Sequence, residues 1–379
     1  MSKRQLDLSL LYIRLGWAGL GLISTLSVIP FWMKTPSPLF SLLIVILPYL
    51  YLLGGLYYIC GWFFKAVRSS LLAQSTLLLL SGLILWPPLW VVHAVFHTAS
   101  PLSKQDQAFK VVSWNVARMG ELEDIKSFKA RKNEYQKQLK CVMDTLKPQN
   151  ADFLVLQEIS KSRLNDLKKA FQLSCHHVDY YGVGGNHRGG LGICIPRQAS
   201  WKFNYAKDVR LPDRWRALFV EVASLKDPKQ RFNLINVHFV PTRIGPKALK
   251  KAMNRLAHGS PKELDSLFSQ LLAVLHRQEA QAQQLLEKMS KFKDPTILAG
   301  DFNSPPSTVV HLSLKPQWVD TWQRVGDTFG ATKYFGGWIP FRVDFIYSLA
   351  GAFTPRTSKV LSSSCSDHLP LVSEFTLLN

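Results

Sequence analysis

A small set of acids, amides and histidines in this chain sits at or near the ends of apolar runs. They are Asn115 in VVSWNVAR, Glu158 in FLVLQEIS, His238 in LINVHFVP, Asp301 and Asn303 in ILAGDFNSPP, Asp344 in FRVDFIYS, and Asp367 with His368 in SDHLPLV. Hard oxygen donors converging from loops favour Mg²⁺, Mn²⁺ or Ca²⁺. Magnesium uses one or two carboxylates and leaves its other positions to water and phosphate, so a site with few acids fits phosphoryl chemistry better than a closed structural cage. Zinc fits less well. Taken singly, each acid is an ordinary turn or cap residue and each histidine an ordinary surface or core residue; the chemistry lies in their combination.

In that combination and order, across about residues 109 to 379, the motifs resemble the endonuclease/exonuclease/phosphatase superfamily. The resemblance implies an α/β fold, a four-layer α/β/β/α sandwich with the active site at one end of two facing sheets. It also implies in-line attack of water on phosphorus. Glu158 would bind the divalent cation, Mg²⁺ or Mn²⁺, with help from Asn115 and Asp367. Asp301 would orient and deprotonate the water, and Asn303 would hold the phosphate or the nucleophile. His238 and His368 would donate to the developing oxyanion and the leaving group, and Asp344 would fix the tautomer of His368. Arg216, Asn186 and Arg188 are further phosphate-contact candidates, with surface and turn roles as the alternative.

Departures narrow the branch. Abasic-site endonucleases commonly carry an acid two positions after the first asparagine and a tyrosine in place of the histidine, where this chain has Ala117 and His238. GDFN stands where inositol phosphatases usually have GDLN. The stretch TFGATKYFGGWIPFRVDFIY resembles bacterial membrane proteins linked to glycopeptide resistance. That resemblance implies a phospholipid or polyprenyl (di)phosphate substrate; a tethered, weakly specific nuclease is the alternative.

The elements that must position these residues are legible as β-rich runs. Strands are expected at 110–114, 153–157, 190–195, 216–222, 233–239, 296–300, 342–347 and 369–375, and helices at about 127–146 and 261–291. Leu267, Leu271, Leu275, Leu285 and Met289 mark the packing face of the second helix.

Residues 1–100 read differently from 108–379. Three uncharged stretches, Leu15 to Met33, Pro38 to Phe64 and Leu71 to Val95, each reach the ~20 residues a membrane helix needs. Lys3, Arg4, Lys65 and Arg68 outweigh Lys34, which predicts a cytoplasmic N-terminus and an extracytoplasmic catalytic domain. The first hundred residues hold six basic and one acidic side chain of the chain's 46 and 26, so the remainder keeps 40 against 25. That excess favours an anionic phosphoester substrate, an acidic lipid surface or nucleic acid. The segment 241–262, with Arg243, Lys247, Lys250, Lys251 and Arg255 among apolar residues, is expected to be an amphipathic flap or a solvated basic loop. Five cysteines show no metal spacing; buried thiols are the default, and one bridge among Cys141, Cys175, Cys194 and Cys365 is an option.

Overall fold

The computed structural model describes residues 108–117, 128–180, 189–242 and 262–378, with gaps at 293, 307, 315–316, 327–329 and 336–338, plus isolated positions at 15, 16, 18–20, 74 and between 248 and 258. All but these few positions of the three expected membrane spans and most of the basic segment 241–262 therefore lie outside the described residues, as do Asn186 and Arg188. Among the described residues no helix is long and apolar enough to cross a membrane.

The chain runs β1 (Ala108–Asn115), α1 (Phe128–Leu146), β2 (Phe153–Gln157), α2 (Lys161–Phe171), β3 (Leu173–Asp179) and β4 (Gly190–Pro196). It continues through β5 (Trp201–Arg210), β6 (Arg216–Ser224), β7 (Arg231–His238), α3 (Lys262–Met289), β8 (Thr296–Asp301), α4 (Val309–Leu314) and β9 (Trp318–Asp320). Then come α5 (Thr321–Val325), β10 (Lys333–Phe335), β11 (Ile339–Phe341), β12 (Asp344–Leu349), β13 (Phe353–Val360) and β14 (Leu371–Leu377).

Two six-stranded sheets result, ordered β13-β14-β1-β2-β4-β3 and β5-β6-β7-β8-β12-β9, and β10 pairs with β11 as a separate hairpin. Each sheet has one parallel pair at its centre, β1 with β2 and β7 with β8, and antiparallel neighbours on both sides. A parallel pair needs a crossover, which α1 supplies in the first sheet and α3 in the second.

Both faces of the first sheet are covered, so its central strands read as continuous apolar runs. Alternate residues Phe109, Val111, Phe153 and Val155 join the large core that includes Phe232, Val237 and Phe345 of the second sheet. Their neighbours Val112, Trp114, Leu154 and Leu156 pack with Val142 and Leu146 of α1 and Leu164 and Leu167 of α2. At the start of β1, Phe109 stacks on Phe232 at 4.9 Å and Phe375 at 5.8 Å, so the aromatic end of the sandwich is opposite Asn115. On α3, Leu275, Leu285 and Met289 are buried as expected, while Leu267 and Leu271 are only half-buried.

The cysteines correct the expectation of free thiols. Cys141 bonds Cys365, 224 residues apart, and Cys175 bonds Cys194. Cys175 and Cys194 face each other directly in the β3–β4 ladder, whereas the first bridge ties α1 to the loop ahead of His368. Linear spacing encodes neither; strand register and tertiary packing create both.

Candidate active site

Strand register gathers the expected residues. Asn115 ends β1 opposite Gln157, and Glu158 follows directly. His238 ends β7 opposite Asp301, which ends β8 and also faces Asp344 at the start of β12. His368 precedes β14, which pairs antiparallel with β1 so that Leu371 meets Ser113. Residues far apart in sequence thus share one end of the sandwich.

The two sheets are pinned together beneath this end by a buried amide pair. Gln157 Nε2 donates to Asn236 Oδ1 at 2.8 Å, and Asn236 Nδ2 donates to the carbonyls of Leu156 and Gly192, each at 2.9 Å. Above it, Asn115 Nδ2 donates to Glu158 Oε1 at 3.1 Å and to Asp301 Oδ2 at 2.9 Å. Glu158 takes a left-handed φ of 54°, a conformation uncommon for a residue with a Cβ, and its N–H donates to Tyr180 Oη at 2.5 Å. Asn303 takes a φ of 47°; its N–H caps Asp301 Oδ1 at 2.8 Å and its side chain donates to the Phe239 carbonyl at 3.0 Å. Gln278 of α3 clamps the same turn by donating to the carbonyls of Val240 and Asn303, each at 2.9 Å. Such backbone positions persist where surrounding bonds over-determine them, which is common at functional sites.

Asp344 and His368 form a buried dyad, Oδ2 to Nδ1, at 2.8 Å. His368 Nε2 then points to Asp301 Oδ2 at 3.6 Å, and His238 Nε2 lies 3.5 Å from the same oxygen and 3.8 Å from Glu158 Oε1. Tyr180 and Trp215 flank His238, with ring centroids at 4.9 and 5.3 Å. Sequence reading missed both aromatics, which lie in no motif.

Electrostatics differentiate the acids. Burial pushes the Asp301 carboxyl up, but His368, His238 and Lys333 together outweigh it and leave it below the ordinary carboxylate value. Burial raises Asp344, and the nearby Asp301 charge adds to this against the His368 attraction. Burial lowers His368, yet Asp344 and Asp301 hold it up at about 9. Asp301 is therefore held as a carboxylate beside two histidines, and Asp344 is hydrogen-bonded to His368 Nδ1.

Lys333 also escaped the sequence reading. Its Nζ lies 2.8 Å from His368 Nε2 and 2.9 Å from Asp367 Oδ2. Burial disfavours its charge, but Asp367 and Asp301 more than compensate and raise it. Asp367, expected beside the ion, is thus neutralised by an ammonium in this structure and held below the ordinary carboxylate value by His368 and Lys333 against burial. Arg216 pairs with Asp208 and lines a separate cavity.

The donor set fits a hard divalent cation on the Glu158 side. Both ring nitrogens of His238 are buried without a hydrogen-bond partner, and Nε2 faces the Glu158 and Asp301 carboxylates, so the pocket is short of a polar occupant. Asp301, Asp344 and His368 also place ligand atoms within 4.8 Å of one another. That trio is the poorer cradle, because Asp344 already holds His368 Nδ1 and the Lys333 ammonium occupies its Nε2 side.

Comparison with known proteins agrees with this architecture. The profile of the Endonuclease/Exonuclease/phosphatase family matches residues 112–368. An endonuclease/exonuclease/phosphatase family protein from Bacteroides thetaiotaomicron superposes with a TM-score of 0.55 at 17% identity, over 73% of this chain and 100% of that one. The mannosyl-6-phosphatase of the same organism gives 0.53 at 16% identity, over 70% and 99%. D. rerio TDP2 complexed with single-strand DNA product gives 0.51 at 18% identity, over 71% and 99%. No curated protein matches the chain. With the family profile covering the parallel pairs at the centres of both sheets and every residue of the Asn115–Glu158–His238–Asp301–His368 cluster, the chain belongs to the endonuclease/exonuclease/phosphatase family.

Proposed function

We propose that the protein is a membrane-tethered phosphoesterase acting on a phospholipid or polyprenyl (di)phosphate headgroup at the outer membrane face. The observation that carries the chemistry is Asp301, a buried carboxylate kept ionised between two histidines and hydrogen-bonded to Asn115. Glu158 and the near edge of Asp301 would hold a divalent ion, Mg²⁺ or Mn²⁺, which would neutralise charge on the phosphate. Asn115, expected as a ligand, has its Oδ1 engaged by the Ala117 N–H and steadies both carboxylates by donating through Nδ2. Asp301 takes a proton from water as its oxygen bonds to phosphorus. The ester oxygen leaves on the opposite side and picks up a proton from a histidine, His368 or His238, and Asn303 orients the phosphate. The products are an alcohol and a phosphate. Asp344 keeps the His368 Nδ1 proton in place, so that Nε2 faces the reaction.

The lipid reading rests on the three apolar stretches ahead of the domain and on its cationic excess. An open cavity of about 720 Å³ adds Lys207, Arg210, Arg216, Lys288 and Lys291 against one acid, Asp208, on a surface suited to anionic headgroups. Two disulfides suit an oxidising, extracytoplasmic compartment. The fold shared with TDP2, whose structure holds a DNA product, keeps a tethered nuclease as the second reading.

A substrate panel separates them: purified full-length protein with Mg²⁺, with and without chelator, on phospholipid, polyprenyl diphosphate and plasmid DNA. Chelator-sensitive lipid hydrolysis with intact plasmid is expected. Plasmid cleavage that falls steeply with salt, beside untouched lipids, would replace the lipid reading with the nuclease.

A further inference from the structure

Lys333 stands outside all six sequence motifs, yet the fold takes trouble to place it. It opens the β10–β11 hairpin and makes a backbone bridge to His368. The preceding Thr332 is locked on every side. Its N–H donates to the Phe341 carbonyl at 2.9 Å, its carbonyl accepts from Leu369 N at 2.7 Å, and its hydroxyl accepts from Val343 N and Asp344 N, both at 3.1 Å. The ammonium is therefore presented by a rigid backbone tied to both members of the Asp344–His368 dyad.

A purely structural role explains this poorly. The Asp367 side chain, its carboxylate partner, is 61% exposed, and a surface pair of this kind contributes only ~0–1 kcal/mol. On its other side the ammonium lies 2.8 Å from His368 Nε2. Lys333 Nζ and His368 Nε2 thus converge on one spot beside the Asp301 carboxylate. The Lys333 side chain is 35% exposed, so an incoming anion can reach it.

Resting on the phosphoesterase reading above, we propose that Lys333 is a catalytic residue that binds a non-bridging oxygen of a terminal, dianionic phosphate. It thereby selects phosphomonoesters and terminal diphosphates over diesters. A phosphate oxygen comes between the ammonium and His368, accepting from Lys333 Nζ and leaving His368 Nε2 to face the leaving group. The second negative charge of a monoester is what the extra cation reads; a diester carries only one, spread over two free oxygens. Within the phosphoesterase reading, the proposal commits the site to cleaving an end group.

The test uses full-length protein in detergent with Mg²⁺ and two substrates sharing one leaving group, an aryl phosphate monoester and the corresponding methyl aryl diester. Lys333→Gln is expected to lower kcat/KM for the monoester by about 10²–10³, the usual loss for one oriented donor, and for the diester by less than about tenfold. Lys333→Arg should recover most of the monoester rate. Equal losses on both substrates, or no loss on either, would overturn the proposal while leaving the phosphoesterase reading intact. A wild type inert on both would remove the two together. If the Gln variant does not fold, methyl phosphate and dimethyl phosphate as competitive inhibitors of the wild type decide the matter. Inhibition by the monoester at roughly tenfold or more lower concentration supports Lys333 selectivity, and equal potency contradicts it.

Discussion

Asn115 Nδ2 lies 2.9 Å from Asp301 Oδ2, a hydrogen bond from the last residue of β1 to the last residue of β8 and hence from one sheet to the other. It helps keep Asp301 ionised, together with the neighbouring cations. Asn115→Asp would replace a donor by a third carboxylate beside Glu158 and Asp301. Like charges disfavour ionisation. The acid limb of the pH–kcat/KM profile should move upward, and activity at neutral pH should fall by about 10² or more, in line with losses of general-base function. A profile unchanged from wild type would separate Asn115 from the chemistry.

His368 supplies a second pH signature. Its folded-state value of about 9 lies above the ordinary 6.5, so the stability it contributes is complete below about 6.5 and is lost as pH rises through about 9. Thermal unfolding of the wild type should therefore soften between pH 7 and pH 10 more than that of His368→Gln. Asp344→Asn removes the largest cause of the upward shift, so the alkaline limb of activity should move to lower pH and kcat should drop by about 10². An alkaline limb at the same pH in Asp344→Asn would show that the dyad does not set it.

Gly300 is the backbone pivot of the GDFN turn. Its φ is 146°, and a Cβ there would lie 2.0 Å from the Val237 carbonyl oxygen on the parallel neighbour β7. Gly300→Ala should therefore break the His238–Asp301 register and give little soluble, folded protein. Wild-type yield and melting temperature in that variant would contradict the pairing.

Reduction gives a further readout. The Cys141–Cys365 bridge closes a span of 224 residues and anchors the loop carrying Asp367 and His368 to α1. Cys141→Ser with Cys365→Ser should cost roughly 2–5 kcal/mol in denaturant unfolding. The same pair should lower kcat more than the Cys175, Cys194 double serine variant, whose bridge lies within the β3–β4 ladder. Activity and unfolding midpoint unaffected by reductant would argue that these bonds do not support the site.

How much of this was legible in the sequence follows from burial. The eight strands expected from apolar runs are the eight interior strands, β1, β2, β4, β14, β6, β7, β8 and β12. The four that escaped, β3, β5, β9 and β13, are the sheet edges. Edge strands carry charges and proline to blunt pairing with other chains, as in WKFNYAKDVR of β5 and FTPRTSKV of β13, so their apolar signal is weak. The β10–β11 hairpin, too short to show a period, escaped for a related reason.

The site divides the same way. Asn115, Glu158, His238 and Asp301 were legible because they terminate interior strands, where an apolar run stops at a polar residue. Lys333, Tyr180 and Trp215 reach the cluster from hairpins and loops, and nothing in their immediate sequence distinguishes them from surface lysines or packing aromatics. Both disulfides were hidden because a bridge depends on distance in space.

A divalent cation held at the Glu158 side of Asp301, as proposed, is read out by the Mg²⁺ dependence of phosphoester hydrolysis by wild type and Glu158→Gln after exhaustive chelation. The chelated wild type should be inactive and be restored saturably by Mg²⁺, and the variant should need about 10–100 times more Mg²⁺ or never recover. Full turnover in chelator, or superimposable Mg²⁺ curves for the two proteins, would contradict it.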